Sequence, residues 1–166
     1  MEPRSSVNFR VALIVLSDRA AAGERADACI PLMKERLGGA YAIVRERVLP
    51  DDPAALQAEL IELADSRLAD LVLTSGGTGI SPRDRTPQAT AAVLDYEVPG
   101  IAEAIRAASI AKVKTAMLSR AVAGVRGSTL IVNLPGSPRA VRETLSVVLP
   151  ALPHALELLS GSVADG

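Results

Sequence analysis

Three times in this chain an aliphatic run gives way to a turn, then to a capping residue and proline: Asp52-Pro53, Thr86-Pro87 and Ser137-Pro138. Proline at the first position of a helix loses nothing, because the N–H it lacks has no intrahelical partner there. Asp, Thr or Ser before it can accept a bond from an orphan N–H. The runs ahead of these pairs, 41–48, 71–74 and 129–133, read as strands. A fourth run, 9–16, is continuously aliphatic apart from Phe9 and Arg10, as expected of a strand buried on both faces. Strand and helix alternating, with right-handed crossovers, give a mostly parallel sheet covered by helices on both sides. The three capped starts then gather at the carboxyl ends of the strands, the edge where open α/β sheets bind ligands. Helix N-termini there offer free N–H groups and partial positive charge, so the ligand expected is an anion.

A length of 166 residues suits one domain. The expected division is a disordered tail at 1–8, a single domain at 9–160 and a second tail at 161–166. With two Tyr, one Phe and no Trp, the core must be built from Leu, Ile, Val and Ala. The remaining elements read as a loop at 17–25 and a helix at 27–37, with Asp27 as cap, Pro31 in its first turn and Gly38-Gly39 as stop. A helix at 53–69 follows, with an apolar stripe of Leu56, Leu60, Ile61, Leu63 and Leu68. Further helices are expected at 87–94, 101–108, 138–149 and 151–160. The run 121–133 reads as two strands about a turn at Arg126-Gly127. The fold class is therefore a three-layer α/β/α, Rossmann-like domain, its sheet mostly parallel with one antiparallel strand.

A net charge of −1 leaves no basic footprint for nucleic acid, and the shortage of aromatics removes stacking platforms for single strands. No apolar run is long enough to span a membrane. Residues 1–8 lack the apolar stretch of a signal peptide. Cys29 is the only cysteine, which suits a reducing compartment. The expected location is the cytoplasm, with neither a nucleic acid nor a membrane as partner.

The richest loop is Thr74-Ser75-Gly76-Gly77-Thr78-Gly79-Ile80-Ser81-Pro82-Arg83-Asp84-Arg85-Thr86-Pro87. Its glycines permit backbone angles closed to other residues and close approach of a ligand. Its flanking hydroxyls and its two arginines, Arg83 and Arg85, suit phosphate oxygens. Asp84 between two arginines is an odd choice for attracting an anion alone; a carboxylate beside phosphates points to Mg²⁺ or to orientation of the reacting atoms. A flexible turn with solvated charges remains an alternative. The loop has neither the Walker A form nor the G-x-G-x-x-G spacing. The junction Asn133-Leu134-Pro135-Gly136-Ser137-Pro138 could form a second wall. Asp52 is explained as a cap, whereas Asp51 lies just outside the helix and should face the strand ends. Ser17 and Arg19, leaving the first strand, could touch ligand or simply make a turn.

His154 is the only histidine and falls in the last helix, so a triad built on it would lie far from every loop above. Cys29 reads as a small core residue. Neither has partners at zinc-ligand spacing.

Taken together, Leu-Ser-Asp-Arg at 16–19, Pro-Asp at 50–51, Thr-Ser-Gly-Gly-Thr-Gly at 74–79, Arg-Asp-x-Thr-Pro at 83–87, Val-Pro-Gly at 98–100, Leu-Ser-Arg at 118–120 and Asn-Leu-Pro-Gly-Ser-Pro at 133–138 resemble the MoaB/Mog family of molybdopterin-binding proteins. The likeness runs from about residue 10 to residue 160. It implies a domain that forms homotrimers and binds molybdopterin, with one branch using Mg²⁺ and ATP to adenylylate that pterin before a separate molybdenum-insertion protein takes it. In that branch the two important aspartates correspond to Asp51 and Asp84, here also the candidate Mg²⁺ ligands. Ser17, Thr74, Ser75, Gly76, Gly77, Thr78, Gly79, Arg83, Thr86, Pro135, Gly136 and Ser137 would bind substrate. Alternatives are a non-catalytic molybdopterin carrier, a nucleotide pyrophosphatase, and the scaffold role of related domains in larger proteins.

Overall fold

The computed structural model describes residues 8–162; residues 1–7 and 163–166, most of the two expected tails, lie outside the described residues. Six strands form one sheet in the order β2-β1-β3-β6-β5-β4. They are β1 (Phe9–Leu16), β2 (Tyr41–Leu49), β3 (Leu71–Ser75), β4 (Tyr96–Glu97), β5 (Ala123–Arg126) and β6 (Thr129–Leu134). β1, β2, β3 and β6 are parallel, while β5 runs against both of its neighbours. One antiparallel strand in a parallel sheet is the architecture expected above.

Burial alternates along the central strands and divides the core into two layers. Val11, Leu13, Val15, Leu71, Leu73, Leu130, Val132 and Leu134 face one side. They pack under α2 (Cys29–Leu37), α6 (Pro138–Val148) and α7 (Leu152–Ser160), with Ile105 of α5 (Pro99–Ile110) at the same layer. Ala12, Ile14, Leu16, Val72 and Ile131 face the other side, against α3 (Pro53–Asp65) and α4 (Thr86–Val93). Strands sandwiched between helices on both faces have no polar face to present, which is why β1 reads as a continuous apolar run.

Register brings the strand ends together. Leu16 pairs with Leu49, Val15 with Ser75, and Ser75 with Leu134. The chain therefore leaves β1, β2, β3 and β6 side by side, at Ser17, Pro50, Gly76 and Pro135. One buried side chain ties three segments of the sheet level to the helix that covers them. Asn133 donates to Thr74 Oγ1 at 2.9 Å and to Thr90 Oγ1 of α4 at 3.1 Å, and accepts from the Val122 N–H at 3.2 Å.

Several boundaries differ from the sequence reading, each for a local reason. Residues 18–21 of the expected loop form a short helix, α1 (Asp18–Ala21), capped by Ser17, which accepts from the Ala20 N–H at 3.2 Å. α2 begins at Cys29, but Asp27 still caps it by accepting from the N–H groups of Cys29 and Ile30, both at 2.9 Å. α3 stops at Asp65, not 69: Arg67 takes a left-handed conformation (φ 52), and the Leu68 N–H turns back to Leu63 O at 3.0 Å. This is a helix end normally marked by glycine, and no glycine marks it here. Ile61 and Leu68 are consequently not part of the buried stripe; each is 36% exposed, while Leu56, Leu60 and Leu63 are buried. Thr86 does not cap α4. It is the first residue of the helix, and its N–H donates to Gly77 O at 3.1 Å. The edge strand β4, only two residues long, and the 3-10 turn Lys114–Leu118 had no signal in the apolar pattern.

Candidate active site

The converging loops enclose a cavity of about 640 Å³ at the carboxyl edge of the sheet, a size typical of small-molecule sites. Ser17 and Asp18 enter from β1, Asp51 from β2, Ser75, Gly76, Gly77, Arg83 and Asp84 from the Gly-rich loop, and Gly136 and Ser137 from the β6–α6 junction. The N-termini of α1, α2 and α6 also border it, so three sets of end-of-helix N–H groups surround the same space.

The glycine loop fits only because two of its residues have no side chain. Gly76 (φ 103) would drive a Cβ into the Leu16 carbonyl oxygen, and Gly77 (φ 69) would drive one into Thr86 Oγ1. At Gly77 the same Cβ would also come within 3.4 Å of Asp51 Oδ1. The loop backbone is thus pressed directly against the strand ends and against one candidate acid.

Asp51 is held by a neighbour not singled out from sequence. Its N–H donates to Asp18 Oδ1 at 2.9 Å, and the Asp18 N–H donates back to Asp51 Oδ2 at 3.3 Å. Asp18 also receives Arg83, whose Nε and Nη2 approach Asp18 Oδ2 at 3.0 and 2.5 Å. Burial pushes the Asp51 carboxyl above the usual carboxylate range; the bond from the Asp18 N–H opposes this, and the Asp18 and Asp84 charges add to it. Asp18 shifts the other way. The N–H of Asp51 and the Arg83 guanidinium hold its carboxylate below the usual range. Asp84 Oδ2 accepts from the Ser81 N–H at 3.1 Å.

The other sequence candidates are tied up in the fold or divided between cavities. Thr74 is fully buried in the Asn133 network, and Ser75 donates to Pro135 O at 2.8 Å. Thr86 lines a small recess beside Asp51. Thr78, Gly79 and Pro135 line a second cavity of about 340 Å³ that shares Ser137 with the first. Ser137 caps α6 by accepting from the Ala140 N–H at 3.2 Å. Cys29 borders the main cavity, 4% exposed, with its Sγ 3.4 Å from Gly136 O; burial pushes its thiol up, so it stays protonated near neutrality. His154 is exposed on α7.

Asp18 and Arg120 fall within the segments 16–19 and 118–120 quoted above, but sequence reasoning gave neither a role. Asp18 was overlooked because Ser17 and Arg19 beside it offered more obvious phosphate chemistry; its position between them was the available signal. Arg120 contacts the Gly-rich loop from 36 to 42 residues away in the chain, a proximity no local pattern encodes.

Among the described residues no group of three or more His, Cys, Asp or Glu side chains is arranged to hold a metal. Mg²⁺, however, commonly takes one or two carboxylates and completes its shell with water and substrate phosphates. Asp51 and Asp84, in one cavity beside the glycine loop, are a donor set of that kind. Nor is any helix among the described residues long and apolar enough to cross a membrane.

Fold and cavity define an open-sheet α/β protein whose carboxyl edge offers helix N-termini, arginines and paired carboxylates to a small ligand. Residues 12–154 match the family described as "Probable molybdopterin binding domain", and the chain belongs to that family. It is 41% identical to the molybdopterin adenylyltransferase of Escherichia coli K12, across 95% of this chain and 88% of that protein. Among solved structures it resembles the molybdopterin biosynthesis enzyme MoaB of Thermus thermophilus at 50% identity and a TM-score of 0.87, covering 92% of this chain and 97% of that one. The molybdopterin biosynthesis Mog protein of Mycobacterium ulcerans is 44% identical, with a TM-score of 0.83 and coverage of 91% and 99%.

Proposed function

We propose that this protein is a molybdopterin adenylyltransferase that moves the adenylyl group of ATP onto the terminal phosphate of molybdopterin. The observation that carries the reading is the meeting of Asp51 and Asp84, from separate loops, with Gly76, Gly77, Gly136 and Ser137 around one cavity. Support comes from relatives of about this length that bear the same name.

In the reaction a phosphate oxygen of molybdopterin attacks the α-phosphorus of ATP. The bond from that phosphorus to the bridging oxygen breaks, and pyrophosphate leaves with the electron pair. The attacking oxygen is already anionic near neutral pH, so the site needs no general base, and an exposed His154 is no obstacle. What it must do is bring two polyanions together. N–H groups of the glycine loop and of the α6 N-terminus bind phosphate oxygens, and Arg83, held by Asp18, lines the same cavity. Asp51 and Asp84 would hold Mg²⁺, which when bound neutralises the phosphates and the departing pyrophosphate. Ser17 and Ser75 line the same space. The protein would work in the cytoplasm as a homotrimer and release its product to a molybdenum-insertion protein.

Purified protein given molybdopterin and Mg-ATP should release pyrophosphate in step with adenylylated pterin. Tight pterin binding with no ATP turnover would establish the carrier reading instead.

A further inference from the structure

We infer that Arg120 is a positioning residue that clamps both arms of the Gly-rich loop and so fixes Asp84 at the cavity; this rests on the role proposed for Asp84. Arg120 lies just beyond the 3-10 turn Lys114–Leu118. Its peptide N–H donates to Thr78 O at 2.8 Å, and its Nε to Gly79 O at 2.8 Å. Its Nη2 donates to Asp84 O at 2.6 Å and its Nη1 to Gln88 Oε1 of α4 at 2.9 Å. One residue thereby holds the incoming arm of the loop, the outgoing arm and the helix that follows.

Inside that clasp the loop closes on itself. The Asp84 N–H donates to Ser81 O at 2.9 Å, and the Ser81 N–H returns to Asp84 Oδ2 at 3.1 Å. The fit is close, since a Cβ on Gly79 would stand 2.9 Å from Asp84 Oδ2. With its carbonyl gripped from outside and its N–H tied within the loop, Asp84 keeps little freedom beyond side-chain rotation.

Arg120 is also used unusually. Among the described residues it makes no salt bridge, and the side-chain bonds given above all end on neutral oxygens. A planar fork can reach two carbonyls and an amide at once; an ammonium on a flexible stem cannot reproduce that spread. No carboxylate pairs with it among the described residues, and its charge sits at the base of a loop proposed to meet phosphates. Arg120→Lys keeps the charge and the peptide bond to Thr78 O but removes the guanidinium's hold on Gly79, Asp84 and Gln88, separating the two contributions.

The test is hydrogen exchange read together with a double-mutant cycle. In Arg120→Lys the amides of Ser81 and Asp84 should exchange about tenfold faster or more, while those of β1 and β3 stay protected. Adenylylation should lose about tenfold to a hundredfold in kcat, with KM for ATP nearly unchanged. In an Asp84→Asn background the same replacement should cost little further. Unchanged exchange at Ser81 and Asp84, or equal losses in both backgrounds, overturns the inference. Should the lysine variant loosen the whole sheet, Gln88→Leu removes one arm of the clasp and must still speed exchange at Asp84; no change there also overturns it. Full turnover by Asp84→Asn alone would instead remove the proposed role of Asp84, and exchange, which needs no turnover, tells the two failures apart.

Discussion

The chemistry proposed for the site turns on single carboxylates. Asp84→Ala should leave pterin binding intact and abolish most ATP-dependent product, measured as pterin fluorescence quenching against pyrophosphate release; full turnover would take Asp84 out of the mechanism. Asp51 carries a pH signature. Its pKa is raised in the fold, so the stability associated with its protonated form is fully present below the unfolded pKa and is lost as pH rises through the folded one. Asp18 is depressed, so its contribution is present above the unfolded pKa and is lost as pH falls through the folded one. Ionised Asp51 is the form that would take Mg²⁺, so the acid limb of kcat/KM is expected to follow its raised pKa in the metal-free protein. Asp18→Asn retains an oxygen for the Asp51 N–H and deletes a neighbouring negative charge. The limb should then move to lower pH. A limb that stays in place would show that Asp18 does not tune its partner.

Loops and helix starts set the next level of constraint. Gly77→Val would force a β-branched residue into a left-handed backbone and against Thr86 Oγ1. It should abolish binding of both substrates, measured by calorimetry, whereas Gly127→Ala at an open turn position (φ 59, nothing within 4 Å of the added Cβ) should bind normally. The level of the strand ends depends on Asn133. Asn133→Leu leaves the Val122 N–H and two threonine hydroxyls without this partner, at a cost of about 2–4 kcal/mol, readable as a lower urea midpoint at unchanged slope. How legible these elements were depended on locality. Asp52-Pro53 and Ser137-Pro138 mark real helix starts, because capping involves atoms two or three residues apart. Thr86-Pro87 has the same pattern, but its threonine turned to Gly77, a partner made available by the returning loop. The end of α3 escaped notice because Arg67 stands where glycine would have announced a left-handed turn.

For the whole molecule, two apolar layers on one sheet carry stability. Leu13 and Leu145 are fully buried on the same face, and Leu145→Ala should cost about 2–5 kcal/mol without moving the loops on the carboxyl edge. Its thermal midpoint would fall while residual activity at low temperature stays near native. Loss of activity at temperatures where the variant is fully folded would mean that the layers and the edge are coupled more tightly than the register implies. The proposed homotrimer is tested by sedimentation: a species of three chain masses that persists on dilution is expected, and a monomer across the working range rules it out.

What the sequence determined by itself were properties that depend on near neighbours: which runs are strands, where capped helices begin, and which loops carry glycine, arginine and acid together. Alternation of strand and helix then fixed the edge of the sheet where those loops had to meet. Tertiary structure alone decided which members of each loop face the shared cavity. Thr74 turned inward to Asn133, Thr78, Gly79 and Pro135 went to a second cavity, and Asp18 and Arg120 took hold of the candidate acids. The reason is physical: a hydrogen bond such as that from Arg120 to Gly79 joins residues 41 positions apart, and its partners are chosen by the packing of the strands between them.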